Sequence, residues 1–433
     1  MRSKKPSIGL TAVLAMFAVA TLMTGTRAAA QTENVLYNFT FNNNGADGID
    51  PVASLIFDAS GNLYGTTNQG GTYNDGTVFE LTPQVGGVWT ETVLHSFQGT
   101  DGAGPGRNGG LIFDAAGNLY GMATGGGAYG YGTVFELTPS AGGGWTATVL
   151  HDFAYGGTDG AYPSGGLIFD AAGNLYGTTN WGGTGPCTSE GNLVGCGTVF
   201  ELSPKAGGVW AERVLHSFGH GTDGTFPVAG LVSDATGNLY GVAYEGGTGP
   251  CSRTGNPGCG IVFELTPKAG GGWAEKVLHH FNLTDGGWPV GSLIFDAAGN
   301  LYGMTNGGGA HDWGTAFELM HRAGGGWAEK ILHNFDESGS SGASPYAGLI
   351  FDSAGSLYGT TSAYGAGGYG TAFELKPTAA GGWTEKVLHD FSGSPKNGTS
   401  PLDSLIFDAA GNLYGTTSGG GTSGWGTVFE IRP

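Results

Sequence analysis

The stretch LIFDAAGNLYG occupies Leu111–Gly121, and close copies of it recur along the chain. The copies start at Leu55, Leu111, Leu167, Leu231, Leu293, Leu349 and Leu405, at spacings of 56, 56, 64, 62, 56 and 56 residues. A near-constant period marks a repeat architecture whose units bury apolar surface only against their neighbours. Within a unit, LIFD reads as a strand, DAAGN as a tight turn whose Gly supplies positive φ, and LYGTT as the returning strand. A Gly-rich loop leads to GTVFEL, and a second turn, TPSAGGG, leads to WTATVLHDF. Each unit is therefore four short strands bounded by turn signals, the pattern of an all-β chain.

These strands are apolar on both faces. Leu111 and Phe113 point one way and Ile112 the other; strict alternation predicts that Trp145, Val149, His151 and Phe153 share a face opposite Leu150. Sheets covered on both sides lose the in/out alternation of a half-buried sheet. Four-stranded sheets stacked around an axis meet that condition, so the sequence predicts a seven-bladed β-propeller over residues 31–433. The last unit stops at GTVFEIRP without a Trp-containing strand, while NVLYNF (34–39) matches TVLHSF. The N-terminal strand is thus expected to complete the last blade and remove an open edge.

The 433 residues include 89 Gly, yet aromatics make up 12% and recur at fixed places, unlike a disordered low-complexity chain. The formal net charge of −19, with only 16 Lys and Arg and no basic patch beyond the N-terminus, argues against nucleic acid and anionic membrane partners. Residues 1–30 read as a signal peptide: Arg2, Lys4 and Lys5, an apolar run from Ile8 to Met23, then Ala28–Ala30. The run is short for a membrane span, and no second one follows, so a secreted or extracellular protein is expected, with the periplasm as the alternative. Cys187 and Cys196 share one loop and Cys251 and Cys259 another; in an exported chain such local pairs read as disulfides, and their spacing does not match zinc patterns.

The repeats resemble the GloVer (Gloeo/Verruco) tandem repeats of exported bacterial proteins, through LIFDAAGNLYGTT, GTVFELTP and GGGWTEKVLHSF-like runs along almost all of the mature chain. The resemblance implies an exported propeller-like protein and no particular activity. The DxxGNLY core is also similar to NHL-type propeller repeats, which serve binding proteins and enzymes alike.

Candidate sites follow from loop placement. Glu80 and its counterparts in the third strands, His95 and its counterparts in the fourth, and the turn Asp58 with its counterparts occur once per blade; catalysis needs one constellation, so these read as structural hydrogen-bonding groups. The TDG..P loops and the Gly-rich loops fall on one face, with all insertions and both cysteine pairs, and variable loops on a rigid scaffold carry function. Asp47, Asp101, Asp159, Asp223 and Asp285 recur there; calcium is the cation they would suit, but one carboxylate per loop favours turn formation. Tyr73, Tyr131, Trp181, Tyr244, Trp288, Trp313, Tyr369 and Trp425 crowd the same face and offer rings for stacking on sugars or for covering the core. Residues that break the repeat symmetry are few: His220, Glu245, His311 and Asp312, a set suited to acid–base work if it converges. No nucleophile elbow, P-loop or dinucleotide fingerprint is present. The sequence therefore favours a monomeric binding or interaction module for a glycan or an extracellular protein, with no cofactor. A polysaccharide lyase or hydrolase and a structural envelope protein are the alternatives.

Overall fold

The computed structural model describes residues 32–433 except 42–46, 107, 157, 190–191, 252–256, 323, 340 and 396. The expected signal peptide lies outside the described residues. The described chain is all-β and forms the seven-bladed propeller that the repeat spacing predicts. Blade 1 is built from Ile56–Phe57, Leu63–Thr67, Thr77–Pro83 and Trp89–Ser96, in that order from the inside outwards. Blade 7 comprises Ile406–Phe407, Leu413–Thr417 and Thr427–Arg432; Thr32–Asn38 pairs antiparallel with its third strand, Val35 opposite Phe429.

A phenylalanine pair holds each blade to the next. The Phe that ends an outer strand meets the third-strand Phe of the following blade, as in Phe153–Phe200 at 5.3 Å and Phe218–Phe263 at 5.0 Å. The same contact recurs at every junction, including Phe391–Phe429 and Phe39–Phe79 on either side of blade 7. All of these rings are essentially inaccessible to solvent. Each such pair adds about 0.5–1.5 kcal/mol to what the buried area contributes. The third-strand ring also decides why LYGTT carries Gly: Gly177 pairs with Phe200 across the strands, and a Cβ there would stand 2.6 Å from Phe200 Cζ. The ring lies over the bare backbone and covers it.

One expectation fails. Trp145 and His151 do not share a face. The outer strand pairs Val134 with His151 but Phe135 with Val149, so Leu150 is a bulged residue, and the same shift occurs in every blade. An extra residue in one strand resets the alternation. As a result Trp145 packs against Tyr64 of the preceding blade, while Phe153, beside His151, packs against the following one.

Candidate functional site

The per-blade polar residues are engaged with one another. In the inner hairpin Asp114 Oδ1 accepts from the N–H groups of Ala116 and Asn118, and Oδ2 accepts from Asn118 Nδ2 and Tyr120 OH. Burial opposes ionisation there, but these hydrogen bonds outweigh it and hold Asp114 below the ordinary carboxylate range. The third-strand Glu136 accepts a 2.8 Å hydrogen bond from Tyr120 OH. The outer-strand histidines meet the loop aspartates: His95 Nε2 lies 2.9 Å from Asp101, His151 3.4 Å from Asp159, His216 3.1 Å from Asp223 and His279 3.2 Å from Asp285. At the junction served by Tyr37 in place of His, Asp47 accepts from Tyr37 OH and from Thr40 N. These carboxylates also accept from loop N–H groups, such as Gln98 N on Asp101 and Gly219 N on Asp223. Each calcium candidate thus ties its loop to the preceding outer strand. Among the described residues no group of three or more His, Cys, Asp or Glu is arranged to hold a metal ion.

A second carboxylate belt lies on the outer strands. Burial pushes Glu33, Glu212, Glu275, Glu329 and Glu385 up to about 7, and Glu91 to about 8, where Asp47 adds to the effect. The Oε1 atoms of Glu91, Glu212, Glu275 and Glu329 are buried without a hydrogen-bond partner among the described residues. The bulge explains the placement: Glu212, two residues after Trp210, faces the preceding blade and its His151 and Asp159.

On the loop face the aromatic candidates occupy several different positions. Tyr131, Trp313, Tyr369 and Trp425 are equivalent: each precedes the Gly that opens a third strand, and its carbonyl accepts from the next blade's residue before Pro. Cys196 and Cys259 take that same position in blades 3 and 4, where the disulfides Cys187–Cys196 and Cys251–Cys259 form. Tyr131 stacks on Tyr155 and meets Tyr162 edge-on; Trp181 meets Tyr162 edge-on at 5.3 Å. Trp313 packs on Tyr364, and Tyr244 and Trp288 are half-buried against the core. Tyr73, Tyr369 and Trp425 are exposed, Trp425 beside the exposed Phe41.

Of the residues before the loop prolines only Trp288 was singled out by sequence reasoning; Asp50, Tyr162 and Ser400 line clefts on this face. The position has positive φ in every blade: Asp50 58°, Gly104 61°, Tyr162 54°, Phe226 59°, Trp288 56°, Ser344 53° and Ser400 53°. Non-Gly residues reach this region at a cost, and such strain gathers at functional sites. The side chains divide around the axis. Blades 3, 4 and 5 carry aromatics, and blades 6, 7 and 1 carry Ser, Ser and Asp. The recurring x-Pro dipeptide was the signal available in the sequence.

Two clefts follow this division. A cleft of about 550 Å³ is lined by Asp50, Asn68, Asn108, Tyr346, Ser362, Ser400 and Ser418, with Val52 and Leu402. A smaller one, about 270 Å³, is lined by Asn108, Thr124, Tyr162, Ser164, Asn180, Trp181 and Val228. Asn108 borders both, and its Nδ2 donates to Ser164 Oγ at 3.2 Å. Asn180 Oδ1 is buried and has no hydrogen-bond partner among the described residues. Of the symmetry-breaking charged residues, exposed His220 meets Thr184, Glu245 is fully buried with its backbone bridged to Thr225, and exposed His311 lies near His333 and Asp336. Asp312, next to His311, is exposed at a φ of 65°.

The Gloeobacter/Verrucomicrobia repeat profile matches residues 20–250 and 248–433. The chain belongs to this repeat family. No curated protein matches it. Among solved structures, the repeat propeller is similar to the extracellular domain of BT4673 from B. thetaiotaomicron, with a TM-score of 0.53 and 12% identity. That match covers 93% of the present chain, which spans 41% of the other. It is also similar to a PL25 ulvan lyase bound to –[GlcA(1-4)Rha3S]–, with a TM-score of 0.50 and 12% identity over 92% of this chain and 95% of the lyase. At such identity the likeness concerns the fold.

Proposed function

We propose that the repeat propeller is an extracellular glycan-binding module whose site is the pair of clefts on its loop face. The observation that carries this reading is their union at Asn108: a polar compartment rich in hydroxyl and amide groups adjoins one walled by Tyr162 and Trp181. Sugars present apolar ring faces and clustered hydroxyls, so a site for them combines aromatic rings with short polar side chains on a largely pre-formed surface. The exposed rings of Tyr73, Tyr369 and Trp425 extend the surface outwards. The disulfides and the extracellular neighbour support a location outside the cytoplasm. Loop aspartates already joined to His95, His151 and His216 support calcium-independent binding.

A lyase is the second reading, favoured by the ulvan lyase likeness. Fold alone does not transfer chemistry. Neither cleft is lined by His220, Glu245, His311 or Asp312, which weighs against this reading. A glycan array probed with the mature chain, with and without calcium, tests the proposal. Saturable binding lost in Trp181→Ala and Asn108→Ala and indifferent to calcium is expected. Binding that survives both substitutions removes the clefts as the site, and release of unsaturated oligosaccharides restores the lyase reading.

A further inference from the structure

The inner strands repeat one aromatic contact around the ring. The Phe that closes an inner strand meets, edge-on, the Tyr of the preceding blade's second strand: Phe113 meets Tyr64 at 5.2 Å, Phe169 meets Tyr120 at 5.1 Å and Phe295 meets Tyr240 at 5.1 Å. The same contact recurs at three further junctions. The junction of blades 3 and 4 departs from it. There the inner strand reads LVSD, and Ser233 stands opposite Leu239 as Phe169 stands opposite Leu175. The backbone place is the same, and the ring is missing.

The neighbours have not closed over the gap. Tyr176, which would receive that ring, donates its hydroxyl to Asp170 Oδ2 at 3.1 Å, as Tyr120 does to Asp114 at 3.2 Å. It lies 6.4 Å from Trp273, the distance at which Tyr64 meets Trp145 and Tyr120 meets Trp210. The space remains as a cleft of about 500 Å³, whose walls include Phe169, Asp170, Tyr176, Ser233, Asp234 and Thr236. Interiors are close-packed, so an unfilled place in an otherwise repeated contact needs an occupant. A cleft of this size with aromatic walls and a few polar groups has the make-up of a small-molecule site. It opens at the end of the strand Leu175–Gly182 opposite to Asn180 and Trp181, and it shares no lining residue with the two clefts of the loop face.

Two carboxylates stand in its wall. Burial opposes their ionisation, but the turn hydrogen bonds from Asn174 and Tyr176 to Asp170, and from Thr236 and Asn238 to Asp234, outweigh it and hold both below the ordinary carboxylate range. No Lys, Arg or His is among the described residues that line the cleft. An ammonium group is favoured beside these carboxylates and the Tyr176 ring, and an anion is repelled.

We propose that this cleft binds a small aromatic amine, whose ring takes the place that Phe holds at the other six junctions and whose ammonium group faces Asp170 and Asp234. The site is separate from the glycan clefts and does not depend on that reading.

Saturation-transfer NMR with the mature chain tests it. Transfer to the ring protons of phenethylamine is expected, and transfer to those of phenylacetate should be at least threefold weaker. Ser233→Phe supplies the residue that six blades carry at this position. It should cut the phenethylamine signal at least fivefold and leave Tm at or above that of the wild type. Ser233→Ala keeps the space open and should keep the signal, as should Trp181→Ala at the loop face. No transfer to phenethylamine, a signal undiminished in Ser233→Phe, or phenylacetate as strong as the amine overturns the proposal. A lower Tm in Ser233→Phe also overturns it, because the gap would then not fit a ring. None of these results touches the glycan clefts, which the array tests.

Discussion

Glu91 offers the sharpest test of the outer-strand carboxylate belt. Its side chain faces Tyr37 and Asp47 of blade 7, with no histidine between them, and its Oε1 is buried without a partner among the described residues. Burial, then the nearby Asp47, moves it from 4.5 to about 8. The folded state therefore holds this proton where the unfolded chain has lost it. A raised folded-state value means that the stabilising contribution is complete below about pH 4.5 and is lost as pH climbs to about 8. At ~1.36 kcal/mol per unit the shift has a ceiling of ~5 kcal/mol, and partial solvent access reduces this to ~2 kcal/mol. Urea unfolding at pH 5 and pH 9 measures it. The wild-type chain should lose ~2 kcal/mol more across that interval than Glu91→Gln, which keeps the shape and cannot ionise. Equal losses in the two proteins, or a variant destabilised equally at both pH values, would refute the reasoning.

The remaining expectations concern packing, covalent ties and the loop face. Phe200→Ala removes a ring that covers Gly177 and meets Phe153, and should cost ~3–5 kcal/mol by denaturant titration; a loss below ~1 kcal/mol would mean the junction collapses around the gap. Gly177→Ala forces a methyl group against the same ring, and a loss of ~1–3 kcal/mol is expected. Replacing Cys187 and Cys196 together by Ala opens a loop closed over a separation of 9 residues. Chain-entropy reasoning gives a loss of ~2–3 kcal/mol, readable as a lower Tm. Trp425→Ala removes an exposed ring outside the two clefts; it should weaken glycan binding a few-fold where Trp181→Ala abolishes it.

The spacing of LIFDAAGNLYG, the four strand signals per copy and the two local cysteine pairs were enough to set the architecture. Each is a near-neighbour pattern: turn chemistry, alternation and short loops are written within one unit, and identical units can satisfy each other's apolar faces in only a few ways. The sequence also shows the insertions gathered in one loop type, on the face where the proposed site lies. What it could not carry is contact between units. His151, Asp159 and Glu212 are hydrogen-bonding and charged neighbours only because a bulge at Leu150 turns the outer strand, and strict alternation sent Trp145 and His151 the same way. Tyr131, Cys196 and Trp313 share the place before the third-strand Gly in the sequence, but only the ring shows their carbonyls accepting from the next blade. Asp403 passed unnoticed as one more residue before LIFD, though six blades put Ala or Gly there. Only closure of the ring brings Ser54 Oγ within 2.5 Å of Asp403 Oδ1. Local sequence sets what each blade is; closure of the ring decides which blades meet, and the clefts exist only at those meetings.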